Sequence, residues 1–333
     1  MTWSLAHAKL HILLRASVLL PKNSRILMAV SGGQDSLCLA QLLVDLCSKW
    51  QWSLALVHCD HRWRVDSADN AAHVLNLAER WGVPAWLEVA DQTLESEAMA
   101  RHWRYDRLAV VARAQGYDYL VTGHTESDRA ETVLYNLIRG TGTDGIGTLP
   151  WVRSLDSLSP PIHLVRPLLT FSRQETAEVC EQQQLPVWED SSNQNLNFRR
   201  NRIRQELLPY LREHFNPQTE RALAQLAEIA AAETAYLSEQ AAALYTQTVS
   251  AEQQATAHKA WEIKRVLLNK APLALQRRVI RQLLQTAIAS PPNFFHIEKM
   301  IELLAAPNGT MSDPYPGNWI AQVCGSVIRL SKL

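Results

Sequence analysis

Short apolar runs alternate with longer amphipathic stretches over residues 1–200. Four of these runs have the length of buried strands, namely residues 25–30, 53–58, 85–89 and 118–122. The stretches between them carry apolar residues at helical spacing. Because short buried strands separated by helices form parallel sheets covered on both faces, the pattern predicts an α/β fold with a doubly wound parallel sheet.

The pattern changes after residue 217. Residues 218–247 are rich in Ala, Glu, Gln and Leu at helical spacing, which predicts a long helix. Turn residues followed by a β-branched run at residues 308–330 predict a terminal hairpin. We therefore expect a larger domain over residues 1–215 and a smaller, mainly α-helical domain over residues 216–333.

Residues 141–161 connect predicted elements of the larger domain. They are rich in Gly, Pro and Ser, too irregular for a core element and long for a passive connection. We expect them to form a substrate loop.

Charge is balanced over the whole chain of 333 residues, of which 47% are apolar and 20% charged. This composition is typical of a globular protein, and a nucleic-acid surface would have to be a local patch. The strongest basic cluster is FRRNRIR at residues 198–204, which contains Arg200 and Arg204. Contact with RNA phosphates and a solvated helix face explain this cluster equally well.

The cysteines and the N-terminal stretch bear on the compartment. Five scattered cysteines, none in a Cys-x-x-Cys pair, argue against a disulfide framework and are typical of a reducing cytosol. Lys9, His11 and Arg15 interrupt the apolar N-terminal stretch, which predicts an amphipathic helix rather than a membrane span or a signal peptide. We expect a cytoplasmic protein with no membrane partner, and a homodimer is left open.

A glycine-containing turn follows the first strong strand and precedes a helical stretch; it consists of Ser31, Gly32, Gly33, Gln34, Asp35 and Ser36. Glycines let backbone N–H groups approach an anion, and a helix N-terminus favours negative charge. The Walker pattern with its lysine is absent from the sequence, which disfavours γ-phosphoryl transfer. Asp35 would repel a bare phosphate, but a carboxylate there suits Mg²⁺ bound to phosphate oxygens. The alternative is a tight strand-to-helix turn in which Asp35 and Ser36 cap the helix.

A second group of charged residues lies on two later predicted helices. Arg104 is on the first helix, and His124, Asp128 and Glu131 surround the start of the second. Asp128 and Glu131 are three residues apart and share one face. Spacing alone favours a simpler interpretation, in which Thr125-x-x-Asp128 caps the helix and Glu131 is solvated.

The string Ser-Gly-Gly-x-Asp-Ser in this position resembles the PP-loop of the N-type ATP pyrophosphatases, which split ATP to AMP and pyrophosphate. It is followed in order by VHCDHRWR, ARHWRY, GHTESDRAET, RPLL and EDSSNQNLNFRRNRIRQELLP. Over residues 20–215 the whole set resembles the tRNA(Ile)-lysidine synthetases. The resemblance implies that ATP adenylates the wobble cytidine of tRNA(Ile) with a CAU anticodon. L-lysine then displaces AMP to give lysidine, which changes codon specificity from AUG to AUA.

The resemblance also implies roles on the nucleotide side. Residues 31–36 would bind ATP, with Asp35 as the ligand of Mg²⁺. His58, at the end of the second predicted strand, would contact adenine or ribose, although an ordinary hydrogen-bonded histidine explains this position equally well. Arg104 would contact the phosphate of the adenylate or of the cytidine, since a guanidinium matches phosphate bidentately.

On the acceptor side, the resemblance implies that Asp128 and Glu131 bind the lysine ammonium group and accept its proton, with His124 beside them. Arg200 and Arg204 would contact tRNA or the active site.

Two positions depart from the family pattern. Arg129 stands where the family usually has Gln, and HRWR at residues 61–64 replaces the commoner His-Gly-Leu-Arg. Neither change removes a carboxylate or a residue of the glycine turn.

Three other functions remain as alternatives. A tRNA thiolase of the same superfamily would need a reactive cysteine pair or a cluster-binding Cys-x-x-Cys. Cys38 and Cys180 are far apart in sequence and lack those flanks. A nucleotide-binding module that only recognises tRNA would bind ATP without releasing pyrophosphate. A ligase for a small acceptor would have little use for the basic cluster at residues 198–204.

Overall fold

The computed structural model describes residues 3–332 except for residues 64, 93, 95, 156–159, 190–195, 197, 254–258 and 289. Parts of three predictions lie outside the described residues: the last position of HRWR, part of the 141–161 loop and most of EDSSNQNLNF. The chain divides into two compact units, Met1–Ala231 and Ala232–Leu333. The domain boundary expected near residue 215 stays a prediction.

The first unit is built on a six-stranded sheet with the strand order β3-β2-β1-β4-β6-β5. Its strands are β1 Arg25–Ala29, β2 Ser53–Asp60, β3 Ala85–Val89, β4 Tyr119–Thr122, β5 Val152–Ser154 and β6 His163–Val165. All neighbours pair in parallel except β5, which runs antiparallel to β6 at the edge. The four predicted strands are β1 to β4, and the predicted parallel α/β fold is confirmed.

The helices of this unit are α1 Leu5–Ser17, α2 Gln34–Trp50, α3 Ser67–Trp81, α4 Glu97–Ala114, α5 Glu126–Ile138, α6 Thr143–Ile146, α7 Arg173–Gln182, α8 Arg199–Arg202 and α9 Leu208–His214. A π-helical segment, Ile203–Leu207, joins α8 to α9, and Leu208 N–H donates to the Ile203 carbonyl. The long helix α10, Thr219–Thr248, contains the point at which the two units divide.

Alternate residues of β1 enter different hydrophobic clusters. Ile26 and Met28 belong to a cluster with residues of α1, α2, α3 and α7, whereas Leu27 belongs to a cluster with residues of α4. Because side chains alternate across a strand, helices cover both faces of the sheet. Ligand sites of such sheets lie at the carboxyl ends of the strands, where the turn of residues 31–36 is found.

The 141–161 stretch is more regular than predicted. It contains the short helix α6 and the edge strand β5, although its Gly, Pro and Ser residues indicated an irregular stretch. Its role as a substrate loop stays a prediction. Local turn residues gave no sign of β5, because this strand depends on pairing with β6.

The described residues of the second unit form the last part of α10, a four-stranded antiparallel sheet of order β7-β8-β10-β9 and three further helices. Its elements are β7 Val249–Gln253, β8 Lys259–Lys264, α11 Arg265–Asn269, α12 Leu273–Ala287, α13 Phe294–Ala305, β9 Trp319–Cys324 and β10 Val327–Lys332. Strands β9 and β10 pair antiparallel at the position of the predicted hairpin. The strands β7 and β8 were not predicted. In β7, VSAEQ carries a single β-branched residue and gives a weak strand signal. Within the described parts of both units, no helix is long and apolar enough to cross a membrane.

Candidate active site

The turn of residues 31–36, called here the 31–36 loop, connects β1 to α2 and is closed by its own hydrogen bonds. The Ser36 hydroxyl accepts from Ser31 N–H at 3.2 Å and donates to the Gly33 carbonyl at 2.8 Å. Gly33 N–H donates to the Ser31 hydroxyl at 3.4 Å, and Gly33 caps α2 in an extended conformation. The loop therefore holds a helix N-terminus in a fixed arrangement that favours an anion.

Two close approaches of the backbone require glycine. Gly32 has φ +89°, and a Cβ there would lie 2.5 Å from Asn70 Oδ1. The Asn70 amide donates to the Ser31 carbonyl at 3.1 Å, so α3 holds the loop from the side. A Cβ on Gly123 would lie 2.7 Å from the Asp35 carbonyl. The loop after β4 thus packs directly against the first turn of α2.

Asp35 is held by two residues of α7. Its Oδ1 accepts from the Thr176 hydroxyl at 2.6 Å, and its Oδ2 accepts from Arg173 Nε and Nη2 at 3.3 Å. Burial raises the pKa of Asp35, and Arg173 opposes that shift. Gln34 donates to Arg173 O and Thr176 Oγ1, both at 2.8 Å, so it anchors α7 to the loop.

Arg173 and Thr176 were not predicted as site residues. Arg173 is the first residue of α7, where the helix dipole disfavours a positive charge. A positive charge at this unfavourable position could have indicated that Arg173 belongs to the site. Its partner there is Asp35.

The 31–36 loop opens into a cleft of about 680 Å³, called here the larger cleft. Most of the predicted residues line it: Ser31, Gly33, Gln34, Asp35, Ser36, His58, Arg104, His124 and Asp128. His58 is buried, and its Nδ1 donates to the Val30 carbonyl at 2.8 Å. His58 therefore satisfies a buried carbonyl and also forms part of the cleft wall.

A smaller cleft of about 350 Å³ adjoins the larger one. It brings Glu131 and Arg200 together with Arg104, His124 and Asp128. Six residues line both clefts, namely His61, Trp63, Arg104, His124, Asp128 and Arg204. The predicted residues therefore occupy one continuous region at the carboxyl edge of the sheet.

Arg204 joins the two predicted carboxylates. Its Nε and Nη2 donate to the two oxygens of Glu131, and its Nη2 also donates to Asp128 Oδ1 at 3.2 Å. Asp128 Oδ2 accepts from the backbone N–H and the hydroxyl of Thr125, at 2.8 and 3.0 Å. The capping interpretation of Asp128 is thus correct, and the same carboxylate also lines both clefts. Glu131 is 4% exposed, so its solvated interpretation is wrong.

The pKa values of this group follow from burial and charge. Burial raises the pKa of Glu131, and the hydrogen bonds and charge of Arg204 reduce that rise. Burial also disfavours the charged form of Asp128, but His124, Arg204 and Thr125 N–H outweigh it and lower the pKa of Asp128. Burial lowers the pKa of His124, although Asp128 opposes this shift. His124 Nδ1 lies 2.8 Å from the Thr122 hydroxyl.

Arginines surround Tyr105 beside these carboxylates. The guanidinium carbons of Arg101, Arg104 and Arg153 lie 5.5, 5.4 and 4.8 Å from the centre of the Tyr105 ring. Burial would raise the pKa of Tyr105, but the arginines prevail and lower it. Arg200 lies 5.7 Å from the Tyr135 ring and lines the smaller cleft. The smaller cleft therefore has a positive wall next to its carboxylates, which suits a phosphate-bearing ligand.

Arg129, one of the departures from the family pattern, has a structural explanation. It is buried, and it donates to Glu228 of α10 at 2.7 Å and to the Leu149 carbonyl at 3.0 Å. The Trp151 indole donates to the same Glu228 at 2.9 Å. Arg129 therefore fastens the middle of the 141–161 stretch to α10, and it does not line either cleft.

A parallel sheet whose first loop forms a closed anion site beside Asp35, with carboxylates and arginines in an adjoining cleft, defines an ATP-using enzyme of the PP-loop class. A family model described as a PP-loop domain matches residues 6–211, and a model described as TilS substrate binding domain matches residues 265–324.

The chain is 52% identical to the tRNA(Ile)-lysidine synthase of Nostoc sp., covering 99% of this chain and 98% of that protein. It is 49% identical to the tRNA(Ile)-lysidine synthase of Synechocystis sp., with the same coverage of 99% and 98%. The chain therefore belongs to the tRNA(Ile)-lysidine synthase family, as its motifs predicted.

A solved structure shares the fold. The U34-tRNA thiolase of Methanococcus maripaludis superimposes with a TM-score of 0.56 over 67% of this chain and 76% of that chain. The two sequences are 19% identical, so this likeness bears on the fold alone.

Proposed function

We propose that this protein ligates L-lysine to C2 of the wobble cytidine of tRNA(Ile) with a CAU anticodon, in a reaction that consumes ATP and forms lysidine. As a member of its family, the chain is an ATP-dependent ligase that acts on tRNA. One observation carries the finer proposal: the 31–36 loop and the Asp128–Glu131 pair line adjoining clefts. Groups suited to ATP and groups suited to an amine are thus close enough to act on one base.

In the first step, the C2 carbonyl oxygen of cytidine attacks the α-phosphorus of ATP, and pyrophosphate leaves. The backbone N–H groups of the 31–36 loop stabilise the charge of the leaving pyrophosphate. Arg104 lines both clefts and packs on Tyr105, and it has no carboxylate partner in the described part of the chain, which suits a phosphate contact. Arg173 holds Asp35 in place during this step.

Asp35 is the residue best suited to hold Mg²⁺. Magnesium ions that accompany nucleotides use one or two protein carboxylates, and phosphate and water oxygens complete the coordination. Within the described residues, no group of three His, Cys, Asp or Glu forms a dedicated metal site. Asp35 lines the larger cleft beside the loop, and its contact with Arg173 is long, so its oxygen fits such an ion. When bound, Mg²⁺ would neutralise the phosphate oxygens.

In the second step, an uncharged amine of lysine attacks C2, and AMP leaves. Asp128 and Glu131 each contribute a negative charge and Arg204 contributes a positive charge, so the three residues carry a single net negative charge. An ammonium group would balance it. The raised pKa of Glu131 makes it the stronger base of the pair, so we assign to it the proton from the amine. His124 and Arg200 line the same space and would position the cytidine nucleotide.

The thiolase alternative has less support. Cys38 and Cys180 are both buried, and burial raises the pKa of each thiol, that of Cys180 to about 11. A raised pKa disfavours the thiolate that sulfur transfer requires.

The test measures incorporation of radiolabelled L-lysine into an unmodified tRNA(Ile) transcript with a CAU anticodon, in the presence of ATP and Mg²⁺. A tRNA(Met) transcript is run beside it, and pyrophosphate release is followed in parallel. We expect label in tRNA(Ile) alone. Asp35→Asn, or chelation of Mg²⁺, should lower both products about 10²–10³-fold. Asp106→Asn, an exposed carboxylate of α4, is the matched control and should leave both rates unchanged.

Pyrophosphate release without lysine label would indicate another nucleophile. Folded protein that is silent in both assays would favour the binding module over the ligase. A cytoplasmic site of action and a homodimer remain predictions.

A further inference from the structure

A partly exposed aromatic ring lies where the two clefts meet. Trp63 lines both clefts and is 37% exposed. Its indole N–H donates to the Leu94 carbonyl at 2.7 Å, which fixes one edge of the ring. The His61 ring lies 6.0 Å from Trp63, and Trp103 meets His61 edge to face at 5.1 Å. Trp63 is thus a supported ring with surface left for a ligand.

The backbone before Trp63 is held in an unusual conformation. Arg62 has φ +56°, in the left-handed region that favours glycine. Its N–H donates to Asp60 Oδ1 at 2.8 Å, and the Ser67 hydroxyl donates to Asp60 Oδ2 at 3.3 Å. Left-handed conformations of such residues persist only where their surroundings hold them. The turn after β2 therefore places Trp63 at the junction at a cost in strain.

Two bases must enter these clefts if lysidine is formed: the adenine of ATP and the cytosine of the tRNA. The larger cleft has an apolar wall of its own, formed by Val57, Cys59 and Leu108, that the smaller cleft does not share. This wall suits adenine. The cytosine must meet both the α-phosphate of ATP and the lysine amine near Glu131, so it belongs at the junction, beside Trp63.

We infer that Trp63 stacks on the base of the target cytidine and holds it between the two clefts, an inference that rests on the function proposed above. Proteins bind unstacked RNA bases by stacking them on aromatic side chains. Burial, with Arg104 and His58, lowers the pKa of His61 to about 4, so the ring behind Trp63 is uncharged near pH 7.

The experiment compares binding of two tRNA(Ile) transcripts without ATP: one intact, and one that lacks the base at the wobble position. Trp63→Ala should weaken binding of the intact transcript about 5- to 150-fold and leave that of the abasic transcript unchanged. Trp63→Phe should restore most of the affinity, because its ring still stacks, whereas Trp63→Leu should not. Trp3→Ala removes a Trp that is 47% exposed near the N-terminus and should have no effect on either transcript.

Other outcomes would overturn the inference. An equal loss for both transcripts would show that Trp63 contacts the RNA elsewhere or only stabilises the fold. A raised KM for ATP with unchanged tRNA binding would assign the ring to adenine. Because binding is measured without chemistry, a base-dependent effect of Trp63 would stand even if the wild-type protein formed no lysidine. Lysidine formation that is insensitive to Trp63→Ala would refute the contact and leave the proposed function intact.

Discussion

Replacing Arg204 by Met should destabilise the protein in a way that depends on pH. In the structure, Arg204 is the partner of Glu131, which is 4% exposed, and it also contacts Asp128. Met keeps much of the apolar stem of the side chain but removes its charge and its donors. The change therefore leaves a buried carboxylate without its counterion.

The magnitude follows from the burial of this pair. Removing one partner of a buried ion pair costs about 3–5 kcal/mol. The side chain of Arg204 is 24% exposed and that of Glu131 5%, so water can replace part of the lost interaction. We expect the free energy of unfolding to fall by about 3 kcal/mol at pH 8, at the low end of that range.

The sign of the pH dependence follows from Glu131. Its pKa is already raised by burial above the ordinary value of 4.5, and removal of Arg204 raises it further. A carboxyl group with a raised pKa binds its proton more tightly in the folded state, so stability falls as pH rises from the unfolded pKa through the folded pKa. Arg204→Met should therefore be less destabilising at pH 5 than at pH 8.

Urea unfolding at the two pH values measures both effects. Arg202→Met is the matched control, since Arg202 lies two residues before Arg204 in an exposed pair with Glu206 that should contribute about 0–1 kcal/mol. Glu131→Gln in the Arg204→Met background should remove the added dependence on pH. A loss of unfolding free energy no larger than that of Arg202→Met, or a larger loss at pH 5 than at pH 8, would refute this role of the ion pair.

Two further predictions concern the backbone of the 31–36 loop and the 141–161 stretch. Gly32→Ala and Gly82→Ala should each lower the free energy of unfolding by about 1–2 kcal/mol for the left-handed backbone. Gly32→Ala should lower stability further and abolish ATP binding in a nucleotide titration, because its Cβ would clash with Asn70, whereas a Cβ at Gly82 meets nothing within 4 Å. Equal effects of the two changes would contradict this prediction. Arg129→Gln should destabilise by about 1–2 kcal/mol in urea unfolding through the lost charged hydrogen bonds to Glu228 and to a carbonyl. The double variant Arg129→Gln, Glu228→Gln should lose less unfolding free energy than the sum of the two single variants. Strict additivity would argue against the contact.

Local sequence patterns predicted the elements that depend on local properties. Strands β1 to β4 are apolar runs of strand length between amphipathic helices, and α10 has continuous helical spacing. Strands β5 and β7 were not predicted because their residues have weak β propensity. Pairing with β6 and β8 stabilises these two strands.

The same difference between local and long-range features applies to the candidate site. The 31–36 loop and the Asp128–Glu131 pair lie within short segments, so their motifs can be recognised in the sequence. The contacts that complete them span long separations: Arg173 reaches Asp35 across 138 residues, and Arg204 reaches Asp128 across 76. No spacing rule encodes such pairs, and only the tertiary fold identifies them. Asp128 both caps α5 and lines the larger cleft, two roles that were alternatives when only the spacing of the sequence was considered.

The π-helical segment Ile203–Leu207 sets a length requirement on the ion pair between Arg204 and α5. Each residue added to or removed from a helix turns the following side chains by about 100° around its axis. A wider turn of this kind corresponds to one extra residue in an otherwise regular helix. A chimera with a relative should therefore exchange the whole stretch from Phe198 to Leu208 as a block. A crossover that added or removed a residue between Phe198 and Arg204 would rotate the guanidinium away from Glu131, although both Arg204 and Glu131 would still be present.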